Sequence, residues 1–556
     1  METVQQTLKQ WFNRSICLNE LTVITFFSLC FVLFENIAFW QKTIHLVEWT
    51  NWREFLLLPS FFIFVFCGVM GLFSLLLWRP LLKPVLVVLF LVSAGVNYFC
   101  MTYSVYIDRE MIQNVMRTDS HETLALLTPQ FVIWVIVFGV LPAIVVVKVR
   151  VKQFSLIRSA FYRIMVLLVC IVMMLVVSIP LYKEYASFFR NNREAVKLIN
   201  PTNYLHAMIS YGRQHFESMK PLVEIGTDAH LVLSEQSQKP TLFVMVVGEA
   251  SRAQNFSLLG YGRETNPLLS QQKGVLAFQN VTSCGTATAV SVPCMFSNMP
   301  RSEYSASRAG HQENVLDILQ RAGMNVLWKE NNTGCQGQCE RIPNIWVRSE
   351  QLQGCKEDYC YDEQLLNHLG SYVDEHQGQN MMVVLHTIGS HGPSYYRRYA
   401  RERIAPFEPA CETNQIHQCS EEALVNVYDN TILYVDYVLN ETIEFLKKYE
   451  SDYEVAMLYV SDHGQSLGER GIYLHGAPYA IAPKEQTQIP MIFWASDEFA
   501  RTRKMNLQCL GSRAQSAAYS QDNVFHSLLG LMQVVTSEYQ QDLDIFRTCE
   551  SSSHIL

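Results

Sequence analysis

"YVSDHGQSLGERGIYLHG", residues 459–476, continues the apolar run "EVAML" without a break, so a stretch that reads as a buried strand ends abruptly on Asp462 and His463. Continuous apolar strands belong to sheets covered on both faces, and the carboxyl ends of such strands are where these sheets carry their sites. The same shape recurs in "TLFVMVVGEASR" (241–252), "NVLWKENN", "MMVVLHTIGSHG" and "IPMIFWAS", separated by helical lengths. Alternation of this kind predicts an α/β domain with a mainly parallel sheet over residues 241–556.

The strand ends together offer Glu249, Asn331, Asn332, His386, His391, Asp462 and His463, with His475 shortly after. A lone histidine at a strand end is most often structural. Carboxylates and imidazoles on separate strands of one sheet instead suit zinc, with one coordination position open for a reacting group. "SCGTATAVSVPCMFS" (283–297) supplies hydroxyls without aspartate or histidine, between Cys284 and Cys294. A disulfide there would hold a short loop rigid, and a helix starting just after it would turn N–H groups toward an anion. Zinc lowers the pKa of a hydroxyl enough to make it a nucleophile near neutral pH.

The first 182 residues are of another kind. A bilayer-spanning helix needs roughly 20 apolar residues to cross about 30 Å of hydrocarbon. Stretches 20–40, 55–78, 81–103, 130–149 and 160–182 approach that, predicting an α-helical membrane domain of five transmembrane helices. The first follows "KQWFNRSICLNE" with no small-residue cleavage site and reads as a retained anchor. Lys9, Arg14, Arg79, Lys83, Lys148, Arg150, Lys152, Arg158 and Arg163 fall on one side; Lys42, Arg53, Arg109 and Arg117 are spread over the longer opposite loops. The positive-inside rule makes the N-terminus cytoplasmic and delivers the C-terminal part to the other side. Between the two, residues 183–240 read as amphipathic helix, lying at the membrane interface or serving as a plain linker, followed by a polar boundary.

Five cysteines lie in or beside the spans and ten lie after residue 280. Pairing by proximity would join Cys284 to Cys294, Cys335 to Cys339, Cys355 to Cys360 and Cys411 to Cys419, leaving Cys509 and Cys549. This suits an oxidising compartment, zinc knuckles from "CQGQC" and "CKEDYC" being the rival reading. A net charge of -8, with no basic stripe or phosphate loop, argues against a nucleic-acid partner.

"VVGEASR", "SCGTATAVSVPCMFS", "SHGP", "LYVSDHGQSLGE" and "YLHGAPYAIAP" closely resemble the phosphoethanolamine transferases of Gram-negative bacteria, the group that includes the lipid A transferases and the mobile colistin-resistance enzymes. The resemblance covers nearly the whole chain and implies a periplasmic domain of the alkaline phosphatase and sulfatase superfamily, carried by an inner-membrane anchor. It implies Zn2+ held by Glu249, Thr288, Asp462 and His463, with a second zinc an open question. Thr288, the second threonine of "CGTAT", matches the family's nucleophile. His391 and His475 match histidines that contact the phosphate or a second zinc, and Asn332 matches a residue beside the donor head group. "IDREMIQNVMRTDSHE" resembles the segment that receives the lipid donor, pointing to Asn114, Thr118 and Glu122. The implied reaction moves phosphoethanolamine from phosphatidylethanolamine to lipid A or lipopolysaccharide through a phosphothreonine, releases diacylglycerol, and confers polymyxin resistance. A monomer in contact with membrane lipids is expected. A phosphoglycerol transferase, or a hydrolase of the phosphodiesterase or sulfatase type, is the alternative within the superfamily. Gln336 and Gln465 depart from the pattern, standing where relatives carry lysine and glutamate.

Overall fold

The computed structural model describes residues 17–47, 52–117, 126–152, 154–218, 220–232, 238–347, 355, 359–401, 404–414 and 416–549. The chain forms two compact units, Met1–Arg109 with Leu127–Ile209, and Glu110–Leu126 with Ser210–Leu556.

In the first unit Trp52–Leu76, Leu82–Tyr103, Pro129–Lys148 and Leu156–Ser178 are each long and apolar enough to cross a membrane. Glu20–Phe34 and Ile37–Leu46 form a fifth, broken pair bent by 55°. The sequence reads that stretch as one continuous span, and the break falls at Glu35–Asn36. Within hydrocarbon a broken helix must find partners for its freed backbone groups. Asn36 Nδ2 donates to Phe31 O and Asn200 O, each at 3.2 Å, while Asn36 Oδ1 accepts from Asn200 N at 2.8 Å. Asn97 accepts from Ala38 N at 3.1 Å and donates to Phe34 O at 3.2 Å, and Asn200 Nδ2 donates to Glu35 O at 2.7 Å. Phe27 and Phe31 of the first helix pack against Phe73 of Trp52–Leu76 and Phe90 of Leu82–Tyr103. Gly139 lets its helix approach Leu91 and Ala94, where a Cβ would come within 3.3 Å. The helix Leu156–Ser178 buries only Ser159, Arg163 and Cys170, the pattern of a span whose apolar side chains face lipid.

The second unit is built on a seven-stranded sheet. Its strands in chain order are β1 (Thr241–Gly248), β2 (Leu276–Phe278), β3 (Asn325–Glu330), β4 (Asn344–Trp346), β5 (Met381–His386), β6 (Glu454–Ser461) and β7 (Met491–Ala495). They lie in the order β2-β7-β6-β1-β5-β3-β4. β6, β1, β5, β3 and β4 run parallel; β7 is antiparallel to β6 and to β2. β1, β5 and β6 are buried at every residue, as expected of strands covered on both faces. Register then decides what converges. Gly248 pairs with Ser461, so Glu249 and Asp462 leave the sheet side by side, and His386 is level with Val247 on one neighbour and Glu330 on the other.

Disulfides join Cys284 to Cys294, Cys335 to Cys339, Cys355 to Cys360 and Cys411 to Cys419, and a fifth joins Cys509 to Cys549 across 40 residues. Closing loops in this way removes conformational freedom from the unfolded chain.

Candidate active site

Glu249, Asp462 and His463 are fully buried, and one ligand atom from each lies within 4.8 Å of the others. Asp462 Oδ1 accepts from Ala250 N at 3.1 Å and from its neighbour His463 N at 2.6 Å, which leaves Oδ2 with no hydrogen bond among the described residues. Glu249 Oε2 accepts from Thr288 Oγ1 at 2.9 Å and Asn332 Nδ2 at 2.7 Å, while its Oε1 likewise has no hydrogen bond. His463 Nδ1 lies 2.8 Å from Gly464 O and donates to it, which points Nε2 into the cluster, the ring orientation a metal-bound histidine adopts. Nε2 sits 3.3 Å from Glu249 Oε1, 3.4 Å from Asp462 Oδ2 and 3.3 Å from Thr288 Oγ1.

Two buried carboxylates this close repel. Burial and then Glu249 push the Asp462 carboxyl up to about 7. Burial acts to lower the His463 imidazole, but Asp462 and Glu249 overcome it and lift it to about 9. The unpaired oxygens, the inward-facing imidazole nitrogen and the adjacent hydroxyl make a donor set that fits a zinc ion, whose charge would relieve that repulsion.

The loop that carries Thr288 is shaped for this position. Thr288 opens the helix Thr288–Met295. The first N–H groups of a helix lack intrahelical acceptors and favour a bound anion. Gly285 is required there: a Cβ would come within 2.9 Å of Val290. Thr286, the other candidate in "CGTAT", gives its hydroxyl to Ala477 O at 2.6 Å and is turned away from the cluster's donor set. Gly389 has φ +47°, and a Cβ on it would lie 2.6 Å from Glu249 O, so only glycine lets that turn pack against the Glu249 backbone.

His463, His475 and His391 form a row, with ring centroids 4.4 Å and 5.3 Å apart. His475 Nδ1 donates to Gln465 Oε1 at 2.9 Å, and Gln465 Nε2 donates to Tyr395 Oη at 2.8 Å. Gln465 thus orients His475. Burial and the neighbouring imidazoles of His463 and His391 hold His475 well below the usual histidine range. Gln336, in the loop closed by Cys335–Cys339, donates to Gly334 O at 3.3 Å. Asn332 is buried, and both amide hydrogens have partners, Glu249 Oε2 and His386 Nε2, the latter at 3.2 Å. Asn114 lies on the helix Arg109–Arg117; Thr118 and Glu122 lie outside the described residues.

Two parts of the site were missed from sequence. The first is a chain of contacts behind Glu249. Asn332 Oδ1 accepts from Thr333 N, so Nδ2 faces His386, and that contact is a hydrogen bond only if His386 Nε2 accepts and Nδ1 donates, 2.9 Å away, to Glu330 Oε2. Glu330 also accepts from Trp328 Nε1 at 2.8 Å and Asn332 N at 2.6 Å. The available signal was a charged residue closing an otherwise apolar strand, since a buried charge requires partners. The second is Gln113, which is buried and donates to Ala289 O at 3.0 Å, next to Thr288 in the chain. Met111 of the same helix reaches Gly476, where a Cβ would meet its Cε at 2.9 Å. No local pattern announces a contact across 176 residues.

Residues 241–534 match the sulfatase family, and residues 65–216 match the family described as phosphoethanolamine transferase EptA/EptB. The chain is 45% identical over 522 residues to phosphoethanolamine transferase EptA of Escherichia coli K12, covering 93% of this chain and 95% of that one. It is 35% identical over 507 residues to phosphatidylethanolamine transferase Mcr-1 of Escherichia coli, covering 89% and 93% of the two chains. The solved integral membrane lipooligosaccharide phosphoethanolamine transferase A (EptA) of Neisseria meningitidis superposes with a TM-score of 0.93 at 37% identity, covering 96% of this chain and 99% of that one. Likeness that runs unbroken from the spans through the sheet, around a hydroxyl aimed at a ligand cluster, places the chain in the phosphoethanolamine transferase family.

Proposed function

We propose that this protein transfers phosphoethanolamine from phosphatidylethanolamine to lipid A, with Thr288 carrying the group between the two half-reactions. The observation that carries this reading is the position of Thr288 Oγ1, 2.9 Å from Glu249 Oε2 and 3.3 Å from His463 Nε2. Glu249, Asp462, His463 and Thr288 would hold a zinc ion, which when bound supplies Lewis acidity and favours the ionised form of the hydroxyl. Thr288 Oγ1 attacks the phosphorus of the donor lipid; an O–P bond forms, the P–O bond to diacylglycerol breaks, and the leaving alkoxide takes up a proton. A lipid A phosphate oxygen then attacks the same phosphorus, the bond to Thr288 breaks, and the hydroxyl regains its proton. The helix N-terminus beginning at Thr288 favours the charge carried by the phosphoryl oxygens in both steps.

Glu249 accepts the hydroxyl proton's hydrogen bond and fixes its direction, and Asn332 fixes Glu249. His475, neutral with Nδ1–H on Gln465, presents an unprotonated Nε2 suited to taking a proton from an acceptor or to holding a second cation. Relatives named as phosphoethanolamine and phosphatidylethanolamine transferases support the group and its donor; a Kdo(2)-lipid A phosphoethanolamine 7''-transferase among them, 28% identical, supports an acceptor in the lipid A class. The bundle of spans would sit in the inner membrane with the N-terminus cytoplasmic and the catalytic unit periplasmic, where its disulfides persist.

Head-group-labelled phosphatidylethanolamine incubated with the full-length protein tests the reading. Label should move to lipid A when lipid A is present and be trapped on the peptide carrying Thr288 when it is absent. Steady release of free phosphoethanolamine without acceptor would make the protein a hydrolase and overturn the proposal. In cells, lipid A mass should gain phosphoethanolamine and polymyxin tolerance should rise.

A further inference from the structure

At the end of the spans nearest the N-terminus lies a cavity of about 330 Å³ lined by Glu20, Arg79, Leu82, Lys83, Arg150 and Val151. Glu20 opens the first helix; Arg79 lies in the turn between Trp52–Leu76 and Leu82–Tyr103, and Leu82 and Lys83 open the latter; Arg150 follows Pro129–Lys148. One wall is a short parallel pairing of Cys17–Asn19 with Arg150–Lys152. Several neighbouring polar groups already have partners. Arg163, 2% exposed, donates to Ser159 Oγ, Ser74 O and Leu77 O, and its Nη2 faces Glu20 Oε2 at 3.6 Å. Lys83 Nζ reaches Val147 O at 2.8 Å.

Two groups have none. Arg79 Nε, a donor, and Glu20 Oε1, an acceptor on a side chain 1% exposed, are both buried without a hydrogen bond among the described residues. Leaving a buried polar group unpaired is costly, so a donor and an acceptor on residues lining one cavity call for a ligand that carries both functions. Charge narrows the class. Arg79, Lys83 and Arg150 stand against one carboxylate that already faces Arg163, so the lining favours an anion. Position narrows it further: the cavity is at the foot of the spans, and Leu75, Leu76 and Leu81 beside it expose 57%, 42% and 52% of their surfaces for acyl chains to cover. Basic pockets between spans at this boundary suit phospholipid head groups.

We propose that this cavity is a binding site for an anionic glycerophospholipid of the leaflet the N-terminus faces. The phosphodiester lies against Arg79, Lys83 and Arg150, and a head-group hydroxyl, as in phosphatidylglycerol, donates to Glu20 Oε1. This site is separate in sequence and in folding unit from the cluster at Glu249 and asks nothing of the transfer chemistry, so either proposal survives the failure of the other.

The test is native mass spectrometry of the delipidated full-length protein with phosphatidylglycerol, phosphatidylethanolamine and phosphatidylcholine of identical acyl chains. Phosphatidylglycerol should bind at least tenfold more tightly than phosphatidylcholine, whose head group has no hydrogen-bond donor and no net charge. Phosphatidylethanolamine, with a donor but no net charge, should fall between them. The double variant Arg79→Gln/Arg150→Gln should lose the preference while retaining transferase activity. Glycerol phosphate at the same concentration should not displace the lipid; displacement would mean that a soluble phosphate is the ligand. Equal binding of phosphatidylglycerol and phosphatidylcholine overturns the proposal without any variant, and so does a preference that survives the double substitution.

Discussion

Asn36, Asn97 and Asn200 in the membrane unit and Asn332 in the catalytic unit are all buried amides, yet their partners differ in kind. The first three bond backbone groups at a broken helix, Phe31 O, Phe34 O, Glu35 O and Ala38 N among them. Asn332 bonds the side chains of Glu249 and His386. In the first setting an amide repairs what the hydrocarbon cannot solvate; in the second it aims a carboxylate. Removing one should cost stability, removing the other should cost rate.

That contrast can be broken at its extreme by Thr288→Ala. Transfer should fall by about a thousandfold or more, the scale for loss of a covalent nucleophile, with thermal unfolding unchanged. An alanine variant that still forms a labelled phosphoenzyme would place the nucleophile elsewhere. Chelation should have a comparable effect on activity and a distinct one on stability. A ligand present at a thousandfold above its Kd stabilises a fold by about 4 kcal/mol, so chelator should lower the melting transition of the catalytic unit and zinc should restore it, while the helical signal of the spans stays put.

A smaller effect is expected at His386→Gln. Losing a group that orients a metal ligand through a second residue typically costs about 10–100-fold in metal affinity or activity. The fall should appear in kcat and in the zinc concentration needed for activity, with KM for the donor lipid unchanged; a change confined to KM would remove His386 from the positioning chain. The smallest is Asn97→Leu, which leaves Ala38 N and Phe34 O without their partner. Side-chain hydrogen bonds between membrane helices average about 0.6 kcal/mol, so unfolding in detergent should shift modestly and transfer per folded molecule should not. A large loss of rate in that variant would erase the distinction between the two classes of amide.

Much of this architecture was legible in the residues because two periodicities are strong. Stretches such as 55–78 are long enough for a bilayer, while "TLFVMVVG" and "EVAMLYVS" are too short to cross one and end on polar residues or glycine, as covered strands do. Once those strands pair in parallel, their polar ends converge; choosing Glu249, Asp462 and His463 as the zinc ligands came from the resemblance, but their place among the strand-end candidates could be read from the residues. Thr288 over Thr286 could not; it came from resemblance, and only the direction of the two hydroxyls separates them physically. The bend at Glu35–Asn36 escaped because hydropathy averages over a single asparagine, and the Cys509–Cys549 bond because a loop of 40 residues leaves no spacing signal. Gln113 lay beyond local pattern, and His386 was legible as a strand-end histidine but not as a partner of Asn332 and Glu330, since such roles depend on which atoms face a residue after folding.

The broken first span also sets an order on biosynthesis. Asn36 leaves the ribosome early, but its partner Asn200 is 164 residues further along the chain. Until translation reaches that point, the amide and the interrupted turn must be sheltered by water, by the insertion machinery or by a neighbouring helix, so the bundle can lock only after its last membrane segment has been made. A truncation upstream of residue 200 should therefore insert and then be degraded, a fate decided by the timing of synthesis.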